Sequence, residues 1–198
     1  MRKVTWLLAL GMATAIAGVP PAYAQGSKQV AQSAKPDSKT SATSSGAASG
    51  AQPSLLGQYG DWGAYTANPN GRKICFALSK PQKATTDPPN RPRDPAYMFI
   101  STRPAEKVTN EVSIVVGYGQ KANSEAVVDI GGTKFAMYTQ NDGAWIKNAA
   151  EEPRLVEALR KGADVVVHGE SARGTKTTDT YSLKGLTQAL ERVSQECK

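Results

Sequence analysis

The chain has 198 residues, with 24 Lys and Arg against 17 Asp and Glu, a formal net charge of +7 at pH 7. That excess is too mild and too scattered for the strong basic stripe of a dedicated nucleic-acid-binding protein. Beyond residue 24 no apolar run is long enough to cross a bilayer, which takes about 20 residues of helix. The longest such runs, Val112 to Val116 and Val165 to Val167, have the length of strands.

The N-terminal stretch reads as a secretory signal. Arg2 and Lys3 form a positive start, Trp6 to Val19 a short apolar region, and Ala22-Tyr23-Ala24 a small-x-small cleavage site. Residues 25–53 are mostly Gln, Ser, Ala, Lys, Thr and Gly, with no aromatic residue and only Val30 as a sizeable aliphatic. Such a segment buries too little surface to offset the entropy of ordering, and it is expected to be a disordered linker. The folded domain is expected over 54–198, about 145 residues, a size that supports its own core. Arg2 and Lys3 leave with the signal, and Lys28, Lys35 and Lys39 oppose Asp37 in the linker, so the domain carries only +3. A charge of that size fits affinity for an acidic surface.

In chain order, Gln58 to Thr66 is a strand carrying Tyr59, Trp62 and Tyr65, and Asn68-Pro69-Asn70-Gly71 turns it into a hairpin. Lys73 to Ser79 alternates, with Ile74, Phe76 and Leu78 on one face and Cys75 on the other. The Pro-rich stretch Pro81 to Pro95 is expected to leave the sheet as a loop. Strands follow at Ala96 to Thr102 and Asn110 to Tyr118. Glu125 to Ile130 and Thr133 to Thr139 flank the two-residue turn Gly131-Gly132, and Asn141-Asp142-Gly143 leads into Ala144 to Ile146. The period then changes. Glu151-Glu152-Pro153 opens a helix with the stripe Leu155, Val156 and Leu159, and Arg160-Lys161-Gly162 closes it. Asp164 to Gly169 and Thr177 to Leu183 are strands, and Leu186 to Val193 is a terminal helix with Leu186, Ala189, Leu190 and Val193 on one face. About eight strands with turns every 8–12 residues predict a mainly β fold, an antiparallel sandwich or barrel-like sheet with two short helices near the C-terminus.

Cys75 and Cys197 are the two cysteines. An even count in an exported chain favours their pairing. The bridge would close a loop of about 120 residues, worth at most roughly 4–5 kcal/mol in the chain-entropy account.

The sequence carries little that reads as catalysis. His168, the single histidine, stands on a Val-rich strand and could act as a general base, although no nucleophile motif surrounds it. Neither cysteine has a second ligand at metal spacing, so no metal is expected, nor any cofactor. Gly117-Tyr118-Gly119 and Gly131-Gly132 read as turns rather than phosphate cradles. The strongest local candidate is a basic lip, Arg91 and Arg93 with Arg103, beside the strand that carries Tyr97 and Phe99. It would bind a partner or an anion, since loops carry function disproportionately.

A signal, a domain opening on Asp61-Trp62, the strand RKICFALSK around Cys75, and the closing run RLVEALRKGADVVVHGESARGTKTTDTYSLKGLTQALERV together resemble the invasion-associated locus B family of alphaproteobacterial exported proteins. The resemblance spans the whole domain from about Ser54 and is most specific in the C-terminal run. It implies a β-rich periplasmic or surface-associated protein, linked in pathogens to host-cell entry, with no catalytic residues. Family members commonly carry further cysteines, one shortly after the Asp-Trp pair and a central pair before the first helix. This chain has neither. The reading is therefore a non-enzymatic interaction protein whose partner is an envelope or host-cell protein or an anionic surface. The alternatives are a small periplasmic enzyme or inhibitor centred on His168, and a structural envelope component.

Overall fold

The computed structural model describes residues 52–198. The expected signal at 1–24 and residues 25–51 of the expected linker lie outside them. Eleven strands and two helices follow, where the sequence alone suggests about eight strands. Part of the difference arises at the start. β1 (Ser54–Tyr59) and β2 (Trp62–Ala67) form a hairpin about Gly60-Asp61, and not one strand over Gln58 to Thr66. β3 (Ile74–Ser79) returns beside β2 after the Asn68–Gly71 turn, where Asn70 and Gly71 both take positive φ.

β4 (Lys83–Asp87) corrects the expectation that 81–95 leaves the sheet as a single loop. Proline does bracket the segment, at Pro81 and Pro88, but none of the six residues between them is a proline, and five of them, Lys83 to Asp87, pair antiparallel with a distant strand. β5 (Tyr97–Arg103), β6 (Val108–Val115), β7 (Glu125–Ile130), β8 (Thr133–Gln140) and β9 (Gly143–Ile146) come next. β7 and β8 turn at Gly131-Gly132 as the sequence predicts, with Asp129 Oδ1 accepting from the Gly132 N–H at 2.8 Å. α1 (Glu152–Lys161), β10 (Asp164–Glu170), β11 (Lys176–Ser182) and α2 (Leu186–Glu196) complete the chain.

All eleven strands belong to one open antiparallel sheet, in the order β1-β2-β3-β5-β6-β9-β8-β7-β10-β11-β4. Its two ends are drawn together. The Trp62 indole N–H donates to the Ser182 carbonyl at 2.9 Å and Asp61 N–H donates to the Lys184 carbonyl at 3.0 Å, while Ser79 Oγ steadies the β1–β2 turn by donating to the Asp61 carbonyl at 2.7 Å. The fold is thus barrel-like but unclosed: β1 and β4 remain free edges.

The core fills the inside of this curl. It combines Met98 and Ile100 of β5, Val112 and Ile114 of β6, Val128, Phe135 and Met137 of the β7–β8 hairpin, and Val165, Val167 and Tyr181. Both helices lay their predicted stripes into it: Leu155, Val156 and Leu159 of α1, and Leu186, Ala189, Leu190 and Val193 of α2. On β3 the buried face is Cys75, Ala77 and Ser79, while the larger Ile74, Phe76 and Leu78 stand half-buried outside. The reason is steric. α2 packs directly over β2 and β3, leaving room there only for small side chains and the disulfide.

Cys75 and Cys197 are bonded, with Cα atoms 5.9 Å apart across 122 residues of sequence. The bridge fixes the C-terminal end of α2 to β3. Lys73 Nζ supports the same corner, reaching the Glu196 carbonyl at 2.7 Å and its carboxylate at 2.8 Å.

Two glycines that flank the helices are dictated by close approach. Gly162, expected as a helix stop, has an extended backbone; a Cβ there would lie 2.8 Å from Ile130 Cγ2 and 2.9 Å from Leu183 Cδ1. Gly185 sits at φ +92° before α2, and a Cβ would fall 1.9 Å from the Tyr59 carbonyl oxygen. Gly185→Ala combines a left-handed backbone with a clash against main chain at the seam of the curl. It is expected to destabilise the domain by ~3 kcal/mol or more, read as a drop in the urea midpoint; an unchanged midpoint would contradict this packing.

Candidate functional site

The three arginines of the expected basic lip and the neighbouring Tyr97 go to three places. Arg91 lies exposed on the loop after β4, its N–H donating to Thr86 Oγ1 at 3.1 Å. Arg93, two residues on, turns inward. Its side chain is 11% exposed and forms a two-pronged ion pair with Asp179, itself 1% exposed. Nη1 meets Asp179 Oδ2 at 2.8 Å and the Val116 carbonyl at 3.2 Å, and the guanidinium stands 5.9 Å from the Tyr118 ring centroid. The hydrogen bond to Asp179 raises the Arg93 pKa further, so it is a permanent cation. Arg93 bolts the Pro-rich loop to β11.

Arg103 sits at the far end of β5, about 20 Å of strand from Tyr97. It is held by Glu111 at 2.8 and 3.0 Å and by Glu106 at 2.7 Å, which also raise its pKa. Beside this clamp, Glu152 of α1 accepts the Val112 N–H at 2.8 Å, and burial pushes its carboxyl above the usual range. Tyr97 belongs to an outward aromatic row. Tyr65 stacks on Phe76 at 5.4 Å, Phe76 meets Phe99 at 5.8 Å, Phe99 meets Tyr97 at 6.1 Å, and Lys80 Nζ stands 5.5 Å from the Tyr97 centroid. Farther round the same outer face Trp145 stacks on Tyr138 at 5.7 Å.

His168 is exposed on β10, between Val127 and Thr178 in register, and its Nδ1 lies 3.3 Å from Thr178 Oγ1. It borders a shallow depression of about 810 Å³ with Ile130, Ala158 and Val166. No group of three or more His, Cys, Asp and Glu side chains with metal-binding geometry occurs among the described residues.

What the fold does assemble is a cleft of about 880 Å³ with Arg91 and Arg93 on one wall. The opposite wall is the β10–β11 turn, with Ser171, Arg173 and Thr175, and the floor is Gly117-Tyr118-Gly119 with Thr177. Each wall is fastened. Asp94 N–H donates to the Gly117 carbonyl at 2.9 Å, and Gly117 has φ +74° with no room for a Cβ, which would lie 2.0 Å from the Asp94 carbonyl oxygen. In the turn, Ser171 Oγ accepts the Arg173 and Thr175 N–H groups at 3.3 and 3.1 Å, and Ala172 N–H donates to the Gly119 carbonyl at 2.9 Å. On the floor, the Tyr118 hydroxyl lies 2.6 Å from Thr177 Oγ1, and burial raises the Tyr118 pKa.

Electrostatically the cleft is cationic at its rim. Arg91 and Arg173 are exposed, and neither makes an ion pair among the described residues, whereas Arg93 is neutralised by Asp179. The one carboxylate lining the cleft is Asp94. Arg173 and the Gly117-Tyr118-Gly119 floor are absent from the sequence-derived site. Their signal in the sequence is only that of turns, and it takes the fold to bring positions 91, 118 and 173 together.

Fold and cleft together define a small disulfide-fastened β domain with a loop-walled, arginine-rimmed recess and two helices packed inside its sheet. The family model for the invasion associated locus B (IalB) protein matches residues 62–194, and the chain belongs to that family. No curated protein and no solved structure matches it. No helix among the described residues is long and apolar enough to cross a membrane.

Proposed function

We propose that this is an exported, non-enzymatic interaction protein of the periplasm or cell surface, which uses the arginine-rimmed cleft to hold an acidic segment of an envelope or host-cell protein. The supporting observation is the pair of exposed guanidinium groups, Arg91 and Arg173, on opposite walls of a recess whose deeper cation is already neutralised by Asp179. Planar guanidinium forks suit carboxylates, and arginine is enriched where protein surfaces meet. The signal-like start and the even cysteine count support export. Among the described residues His168 hydrogen-bonds to a threonine hydroxyl and not to an acid, which gives the enzymatic alternative no dyad to rest on.

In-cell crosslinking with identification of the captured protein tests this reading. The variant Arg91→Glu/Arg173→Glu changes only exposed side chains and is expected to fold normally while losing at least about tenfold in capture. Capture equal to wild type would overturn the assignment of the cleft.

A further inference from the structure

The free edge β4 is self-complementary, and we propose that it pairs with β4 of a second copy of this chain, joining two sheets through an antiparallel two-fold contact. The two edges of the sheet differ. β1 is interrupted by a register shift between Leu55 and Gly57, a bulge of the kind that spoils an edge for further pairing. β4 holds an unbroken register over all five residues, Lys83 to Asp87, and every one but Thr86 is exposed.

Backbone direction fixes what β4 offers. The bonds Ser171 N–H to Thr175 carbonyl, 2.9 Å, and Leu183 N–H to Ala163 carbonyl, 2.8 Å, lie on one alternating set of the β10–β11 ladder. Odd-numbered residues of β11 therefore face β10, and Lys176, Thr178 and Thr180 face β4. Their partners Asp87, Thr85 and Lys83 turn their main-chain groups toward β11. Ala84 and Thr86 are left with N–H and C=O directed away from the sheet.

Only one antiparallel register uses both. With the two-fold axis at Thr85, Ala84 of each copy faces Thr86 of the other and exchanges both main-chain bonds. Thr85 faces Thr85, and Lys83 faces Asp87 at each end. Moving the axis to Ala84 sets Thr86 against Gln82, whose N–H is already given to the Thr180 carbonyl at 2.8 Å, and moving it to Thr86 sets Ala84 against Pro88, which has no N–H to give. A slip of a single residue brings outward main-chain groups against inward ones. The favoured register also places Lys83–Asp87 and Thr85–Thr85 in non-hydrogen-bonded positions, where cross-strand side chains approach most closely and opposite charges and paired threonines stabilise. A five-residue contact is small, so the dimer is a weak and concentration-dependent one.

Sedimentation equilibrium of the full oxidised chain at low salt, from about 10 μM to about 1 mM, tests this directly. Wild type is expected to show a monomer–dimer equilibrium that weakens as salt rises. Lys83→Asp and Asp87→Lys, each placing like charges opposite one another twice, are expected to lose roughly tenfold or more in self-association. Mixed in equal amounts, these two variants re-form every opposite-charge pair and are expected to associate with each other to within about threefold of wild type. Because that readout is a gain of binding, misfolded variants cannot imitate it. A wild type that stays monomeric throughout would mean that Lys83 and Pro88 merely blunt the edge, and it would overturn the proposal. Self-association untouched by either single substitution would overturn it equally, by placing the interface elsewhere.

Discussion

Asp179→Ala is expected to cost about 3–5 kcal/mol, because it leaves the Arg93 guanidinium enclosed with no counter-charge. For a domain of this size that corresponds to a fall of roughly 10 °C in Tm. The magnitude follows from burial: an exposed arginine–carboxylate pair contributes 0–1 kcal/mol, but these two side chains are 11% and 1% exposed. The penalty is mainly one of desolvation, so replacing both partners has a different outcome. Arg93→Met/Asp179→Leu removes both charges at similar volume and is expected to recover most of the loss. Thermal melts of the single and double variants decide the matter. A single variant within about 1 kcal/mol of wild type would show that water reaches Arg93 freely.

Breaking the Cys75–Cys197 bridge has the other large expected effect. The bond spans 122 residues, and releasing so long a loop in the unfolded chain corresponds to about 4–5 kcal/mol as an upper figure. Cys75→Ser/Cys197→Ser is therefore expected to lower the urea midpoint substantially, by a few kcal/mol of stability, with α2 still docked through Leu186, Ala189, Leu190 and Val193. Hydrogen exchange should separate the two consequences. Global protection falls everywhere, while local fraying concentrates in the last turn of α2, where the remaining tie is the half-exposed Lys73–Glu196 pair. A double variant with unchanged midpoint would place the stability of this fold elsewhere.

Much of the architecture is legible in the sequence because it is local. Gly131-Gly132 between two alternating runs specifies its hairpin, and the stripes Leu155, Val156, Leu159 and Leu186, Ala189, Leu190, Val193 specify two helices buried on one side. The disulfide is legible from the even cysteine count together with the signal-like start. The faces of β3 are not. Alternation distinguishes two sides without saying which is inside, and the choice rests on α2, more than 100 residues away in sequence, coming to lie over Cys75 and Ala77. β4 is hidden for a related reason. LysAlaThrThrAsp carries no large apolar residue, and it becomes a strand only because β11 offers it a ladder. The expected lip dissolves on the same principle. Arg93 and Arg103 look like free cations until Asp179, Glu106 and Glu111 are brought to them, whereas Arg173 looks like a turn residue until the fold sets it across from Arg91.

The fastening of Arg93 bears on how tightly the cleft can hold anything. A wall made of a proline-rich loop would ordinarily have to be frozen on binding, and the lost motion would be subtracted from the affinity. Here the loop is already immobilised by the ion pair with Asp179, the bond to the Val116 carbonyl and the Asp94–Gly117 bond, and the facing turn is held by Ser171. The recess is preorganised, so in the proposed binding role Asp179, buried and outside the cleft's lining, would contribute to affinity through the entropy it has removed beforehand.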